Sequence, residues 1–262
     1  MGLVLENIKF RENLNDISST FLEKKITGIY GSNANYLLDI INGDIFDYDG
    51  SVILDDEIVD RSFYKKNSSL IALIDSNPFF YTNVVSDEFR FNLDFRGCDL
   101  KDLEEKQKDL LNLVGFDESI LKRNIHTLSS SEKYLLSIAI NLSYEPKVIL
   151  FKDVFYRLDR NSKKKVMMII KNLKEEKKIV IVTNNDTNIL YELTDDVILL
   201  NGNSIYKSGV SGKVFTLNEL MKDKVIPMPK ITRVTYLAKN KKIKLSYHKD
   251  VRDIIKDIYK HV

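Results

Sequence analysis

Four short stretches of this chain carry side chains able to handle an anion, a proton or a metal. The first is Gly28-Ile29-Tyr30-Gly31-Ser32-Asn33, an apolar run that turns at Gly31 into the helical pattern of Leu37, Leu38, Ile40 and Ile41. A helix start of this kind presents backbone N–H groups and the positive end of a dipole, so it can attract an anion weakly. The plainer reading is a strand-to-helix turn with Asn33 or Asn35 as its cap. The second stretch is Leu128-Ser129-Ser130-Ser131-Glu132-Lys133, whose serine stands three residues ahead of a glutamate, the spacing of a capping box. In the third, Val148-Ile149-Leu150-Phe151 delivers Lys152 and Asp153 to the end of an apolar strand, with Leu158-Asp159 close behind. Neighbouring strand residues point to opposite faces, so Lys152 and Asp153 can pair with each other only if the strand ends between them. The fourth, Ile179-Val180-Ile181-Val182-Thr183, ends in two amides, Asn184 and Asn185. His126, His248 and His261 show no metal-ligand spacing, and no metal site is expected.

These groups need a scaffold, and the hydrophobic pattern supplies one. Strand-like segments recur at Leu3–Ile8, Ile26–Tyr30, Val52–Leu54, Leu70–Ile74, Val148–Phe151, Ile179–Thr183 and Val197–Leu200. Several are continuous apolar runs, the pattern of parallel strands buried on both faces. Between them, Leu100, Leu103, Leu110, Leu111 and Val114 share one helical face ending before Gly115, a second helix follows Ser129 to about Tyr144, and a third spans about 161–176. Alternating strands and helices predict an α/β domain with a largely parallel sheet. After Lys224 the texture changes, with Pro227 and Pro229 flanking a break before two lysine-rich amphipathic segments.

Composition narrows the classes. The 262 residues are 44% hydrophobic and 30% charged, enough for a sizeable core, and no apolar run approaches the roughly 20 residues of a membrane helix. The first ten residues meet charges too early for a secretory leader. Cys98 is the only cysteine, which excludes an internal disulfide and fits a reducing cytosol. Residues 222–262 hold 12 Lys and Arg against 4 Asp and Glu, a surplus of +8 on a chain whose net charge is +2. Such a basic tail could face anionic lipid or an acidic partner, or be a solvated surface; no nucleic-acid motif accompanies it, so nucleic acid is not an expected partner.

In order and spacing, the four stretches resemble the phosphate loop, signature, Walker B strand with D-loop, and switch region of ATP-binding-cassette ATPases, over about residues 1–222. The tail Ile226-Pro227-Met228-Pro229-Lys230-Ile231-Thr232-Arg233 is similar to the C-terminal extension of energy-coupling factor transporter ATPases, importers of vitamins and transition metals. Asn77-Pro78-Phe79, then Val84 and Asp87-Glu88-Phe89, is similar to that group's region after the Q-loop. The resemblance implies a mostly parallel sheet with antiparallel N-terminal strands, a helical subdomain at about 78–145, a cassette over 1–224 and a small helical extension over 225–262 that pairs subunits. Phe79-Phe80-Tyr81 then reads either as a docking patch for a membrane scaffold or as core packing.

Residue by residue, the same resemblance implies a degraded nucleotide site. Gly31, Ser32 and Asn33 stand where the phosphate loop belongs, but the segment is three residues short and has no Gly-Lys-Ser/Thr. Lys152 falls on the magnesium-binding carboxylate, and Asp153 on the catalytic glutamate, one methylene shorter. Ser76 replaces the Q-loop glutamine and Asn184 the switch histidine; Phe10, followed by a shortened turn, is a candidate for the adenine-stacking ring. Ser129, Ser130, Ser131 and Glu132 keep enough of the signature to contact a partner's nucleotide, with Asp159 in the D-loop. The expected protein binds ATP and magnesium poorly itself. It pairs with an intact cassette ATPase whose site holds them, and sits with a membrane scaffold at the cytoplasmic face of the membrane. The alternative is a soluble pseudo-ATPase with a regulatory or scaffolding role.

Overall fold

Period-two alternation along the central strands sends successive side chains into two different cores. In the computed structural model, which describes residues 2–156 and 158–259, Ile149, Phe151, Val180, Val182, Val197 and Leu199 enter one cluster of buried side chains. Their neighbours Val148, Leu150, Ile179, Ile181, Ile198 and Leu200 enter a second cluster on the opposite face. Burial on both faces is the reason these segments read as unbroken apolar runs.

The chain runs β1 (Gly2–Phe10), β2 (Leu14–Leu22), β3 (Lys25–Tyr30), α1 (Ala34–Asn42), β4 (Asp49–Leu54), β5 (Glu57–Ile58), α2 (Arg61–Asn67) and β6 (Ile71–Asp75). Then come α3 (Val85–Phe95), α4 (Leu103–Val114), two short 3₁₀ turns, α5 (Ser130–Leu142), β7 (Val148–Lys152), α6 (Arg160–Glu175), β8 (Ile179–Thr183) and α7 (Thr187–Leu193). It closes with β9 (Asp196–Asn201), β10 (Ser204–Val210), α8 (Ser211–Val214), α9 (Asn218–Asp223), α10 (Lys230–Asn240) and α11 (Val251–Tyr259). One sheet, in the order β2-β1-β4-β5, is antiparallel. The other runs β10-β9-β3-β8-β7-β6 and is parallel except for the β9–β10 hairpin. Among the described residues no helix is long and apolar enough to cross a membrane.

The strands expected from sequence are present, with three additions: β2, β5 and β10. β2 buries Leu14, Ile17 and Phe21 on one face while Asn15, Asp16, Ser18 and Ser19 interrupt the pattern, and β10 is a half-exposed edge strand. Gly115 ends α4 at φ +80° as expected of a helix stop, donating its N–H to the Asn112 carbonyl. The helix itself starts three residues later than Leu100, at Leu103. His261 lies outside the described residues.

Between β6 and β7 the chain inserts α3, α4 and α5. Glu88 of α3 is buried and accepts hydrogen bonds from the N–H of Tyr81 (3.0 Å) and Thr82 (2.7 Å), from the Thr82 hydroxyl (2.9 Å) and from Asn92 Nδ2 (3.0 Å). A buried carboxylate with four donors is satisfied, and it fixes the preceding loop. That loop leaves Phe79 77% and Tyr81 66% exposed, while Phe80 alone packs against the core. The core-packing reading of this run therefore holds for Phe80 and fails for its two neighbours.

Candidate functional site

The parallel register brings the ends of β6, β7 and β8 side by side: Asp75 pairs with Lys152, and Phe151 with Val182. Helix α1, leaving β3, lies across these ends. Lys152 Nζ donates to Asp39 Oδ1 of α1 at 2.6 Å and stands 3.8 Å from Asp75 Oδ2. The ammonium therefore pairs with Asp39 and Asp75 rather than with Asp153; α1 and β6 supply its carboxylates. Burial pushes Asp39 up and opposes the charge on Lys152, and their hydrogen bond works against burial on both sides. Asp39 ends above its ordinary value because burial outweighs its hydrogen bond to Lys152, while Lys152 ends above its own because the Asp39 hydrogen bond and the charges of Asp39, Asp75 and Asp44 outweigh burial.

Asp153 sits just past the strand with φ +49°, and this turn swings its side chain away from Lys152. Its N–H donates to Thr183 Oγ1 (2.9 Å), the Thr183 hydroxyl donates to Asn35 Oδ1 (2.7 Å), and Asn35 Nδ2 donates to Asp153 Oδ2 (2.8 Å). The three residues close a ring that binds α1 to the ends of β7 and β8. Asn35 is thus a cross-link and no cap. Nor does Asn33 cap with its side chain: its Nδ2 donates to the carbonyls of Asn13 (2.8 Å) and Gly202 (3.1 Å), tethering the turn to the start of β2 and to the β9–β10 hairpin.

The turn itself is short. Ala34 N–H donates to the Gly31 carbonyl at 3.1 Å, and the Gly31 N–H is directed at Asn185 Oδ1 at 3.4 Å. Gly31 is required by φ +130°, and a Cβ there would meet Leu200 Cβ at 2.8 Å. Ser32 is exposed. The turn thus spends the amides of Gly31 and Ala34 within the chain, where a phosphate cradle would aim consecutive amides outward. Asn184 spends both ends of its side chain inside the molecule, donating to the Val154 carbonyl and accepting from Asp186 N–H at 2.7 Å. Ser76 makes only a long contact to Asp75 Oδ1, 3.5 Å. Phe10 is buried, with Tyr36 at 5.4 Å and the Arg11 guanidinium at 5.1 Å over its ring, so both partners compete with any adenine.

Ser76, Asp153 and Asn184 border an open cavity of about 720 Å³ that Phe155, Lys163 and Ile189 also line. Tyr134 of α5 is fully buried, its hydroxyl without a hydrogen-bond partner among the described residues. Burial drives that phenol far above its usual range, and the charges of Asp75 and Asp153 push it further. The site offers no fit for magnesium: a cation already sits among the carboxylates, and like charges repel. No group of three or more His, Cys, Asp or Glu among the described residues could hold a metal ion.

The signature-like run is built as its spacing predicts. Ser129 caps α5: its Oγ accepts from Glu132 N–H (3.2 Å) while Glu132 Oε2 accepts from Ser129 N–H (2.8 Å). The Ser129 hydroxyl beside it holds the Glu132 carboxyl below its usual range. Ser129 and Ser130 are exposed at the helix start. Asp159 caps α6, and hydrogen bonds from the Ser162 hydroxyl and backbone, then the Ser131 hydroxyl, hold it well below the ordinary carboxylate range. Ser131 thereby ties α5 to α6 within the chain.

Sequence reasoning missed Asp39, Asp75, Thr183 and Tyr134, and took Asn35 for a cap. Asp75 and Thr183 carried the same signal as Lys152, a polar residue at the end of an apolar strand. Asp39 had only its isolation among Leu37, Leu38, Ile40 and Ile41.

A helix launched from a central parallel strand, with polar groups gathered at the carboxyl ends of the neighbouring strands and a separate antiparallel sheet beside them, is the build of a phosphate-loop cassette. Residues 14–154 match the family described as ABC transporter, and the chain belongs to that family. Among curated relatives, the energy-coupling factor transporter ATP-binding protein EcfA1 of Mycoplasma mobile is 28% identical over 247 residues, 90% of each chain. A putative ABC transporter ATP-binding protein of Pyrococcus furiosus is 30% identical over 231 residues, 85% of this chain and 83% of its own. Among solved structures, cbiO1 of Clostridium perfringens, part of the ABC transporter complex cbiONQ, superposes with a TM-score of 0.73 at 20% identity, covering 89% of this chain and 98% of that one.

Proposed function

We propose that this chain is an ATP-binding-cassette subunit of an energy-coupling-factor-type importer whose own nucleotide site no longer hydrolyses ATP. It pairs with an intact cassette subunit and passes motion to a membrane scaffold at the cytoplasmic face. The relatives support the transporter type, and one observation carries the loss of catalysis: the Lys152 ammonium fills the carboxylate cluster at the strand ends. The exposed Ser129 and Ser130 at the start of α5 serve the partner's nucleotide. The test is purification of the tagged chain from its native membrane. An intact cassette protein and a multi-span membrane protein should co-purify; a chain recovered alone from the soluble fraction would sink the reading.

Two surfaces suit the two partners. Phe79, Tyr81, Phe91 and Phe95 form an exposed ladder, with ring centroids 5.1, 4.8 and 6.0 Å apart in sequence. Aromatic side chains of this kind anchor protein interfaces. Phe79→Ala with Tyr81→Ala is expected to weaken capture of the membrane scaffold by tenfold or more, about 1.4 kcal/mol, without altering the melting temperature. Retained capture would remove the ladder from the interface.

The extension presents Val234, Leu237, Val251 and Ile255, each between 47% and 60% exposed. Ile226 belongs to the main core and Met228 and Ile231 pack against it, so a clean truncation must keep all three. Deleting residues 232–262 is expected to leave a folded cassette but lower its affinity for the partner subunit about tenfold or more. Light scattering showing an unchanged dimer would assign these residues to a solvated surface.

A further inference from the structure

Lys152 occupies a place built for a cation. The β6–β7 register sets it beside Asp75, and α1 lowers Asp39 onto it, so its Nζ lies 2.6 Å from one carboxylate and 3.8 Å from the other. The Lys152 and Asp39 side chains are only 21% and 19% exposed. Asp44 adds negative potential to the same pocket. The unpartnered Tyr134 hydroxyl, completely buried, lies near enough to Asp75 to feel its charge. Take the ammonium away, and Asp39 faces Asp75, whose side chain is 38% exposed, with no counter-ion between them, an arrangement that costs stability unless a proton or a cation is taken up.

We propose that the Lys152 ammonium is a tethered structural cation replacing a divalent metal, and that Asp39 and Asp75 form a latent divalent-cation site exposed when Lys152 is neutralised. The proposal rests on the reading that this chain's own site holds no magnesium nucleotide. Carboxylate oxygens are the hard ligands that magnesium, manganese and calcium ions take, and both carboxylates already converge on one point. The ammonium holds α1, β6 and β7 together through contacts within the chain. These three elements therefore need no bound nucleotide or metal to keep their arrangement.

Melting temperatures of the full chain test this, for wild type, Lys152→Ala and the double variant Lys152→Ala/Asp39→Asn, in sodium chloride and in magnesium or manganese chloride at matched ionic strength. Wild type should not respond to either metal. Lys152→Ala should melt lower by roughly 5 °C and recover at least half of that loss in the metal salts, by mass action on the folded state. The double variant should recover without metal and ignore it. A wild type stabilised by metal alone, a Lys152→Ala that melts with wild type, or one indifferent to metal would each overturn the proposal. If Lys152→Ala does not fold in sodium chloride, the double variant decides: folded, it supports repulsion among the carboxylates as the cause, and unfolded, it overturns it. Stabilisation of wild type by magnesium ATP beyond magnesium chloride would instead overturn the underlying reading of a non-catalytic site.

Discussion

Ser129→Arg is expected to cut ATP turnover of the reconstituted transporter on the order of a hundredfold, while Asp153→Ala leaves it within about twofold. Ser129 stands exposed at the start of α5, its hydroxyl capping the helix at Glu132 N–H. In the proposed pairing that end closes on the partner's nucleotide, where a guanidinium replaces a small donor with a bulky group that cannot fit. Asp153 belongs to the other half-site and is engaged by Asn35. Arginine also loses the cap, worth about 1 kcal/mol, so Ser129→Asp separates the effects. Aspartate caps as well as serine but sets a carboxylate against a phosphate; turnover should fall while the melting temperature holds. Equal losses from Ser129→Arg and Asp153→Ala would place hydrolysis in this subunit.

Purified alone, the chain is expected to turn over magnesium ATP far more slowly than about 1 per second, the low end of ordinary enzymes, and Lys152→Asp should not give it micromolar affinity. Micromolar binding requires about 8 kcal/mol. A phosphate loop draws much of that from consecutive amides and a lysine, and here the turn is closed by Ala34 N–H on the Gly31 carbonyl with Gly31's own N–H directed at Asn185. A restored carboxylate can attract a metal ion but supplies no donor to phosphate. Calorimetry giving a micromolar dissociation constant for ATP with the variant would show that the short turn is competent after all.

Much of the framework was legible because the strands are buried twice over. Val148–Phe151 and Ile179–Thr183 have no polar face to blur their limits, and Ser129 with Glu132 announces the start of α5. β2 and β10 escaped notice because polar residues interrupt one and solvent bathes much of the other. The proposed departures from a working site rest on residue types, since a lysine at the position the resemblance gives to a metal ligand is evident without coordinates. What Lys152 does instead could not be read. Its partners lie 113 and 77 positions away in sequence, and only the parallel register and the path of α1 bring them within reach. Asn33 and Asn35 misled for a related reason: asparagine at a helix start commonly caps, yet here β2, the β9–β10 hairpin, Asp153 and Thr183 claim both side chains.

The Lys152 ion pair also bears on the evolutionary direction open to this subunit. Its contacts span three elements, so no single substitution walks the site back. Lys152→Asp would place another carboxylate against Asp39 and Asp75 before the turn at Gly31 had regained the residues it needs, and the intermediate would be less stable without yet being active. Removing Asp39 first would strand the ammonium. Each path of reversal begins with a loss of stability, so on the proposed reading the lysine is a ratchet: a pocket closed around its own cation resists return to a metal-binding one.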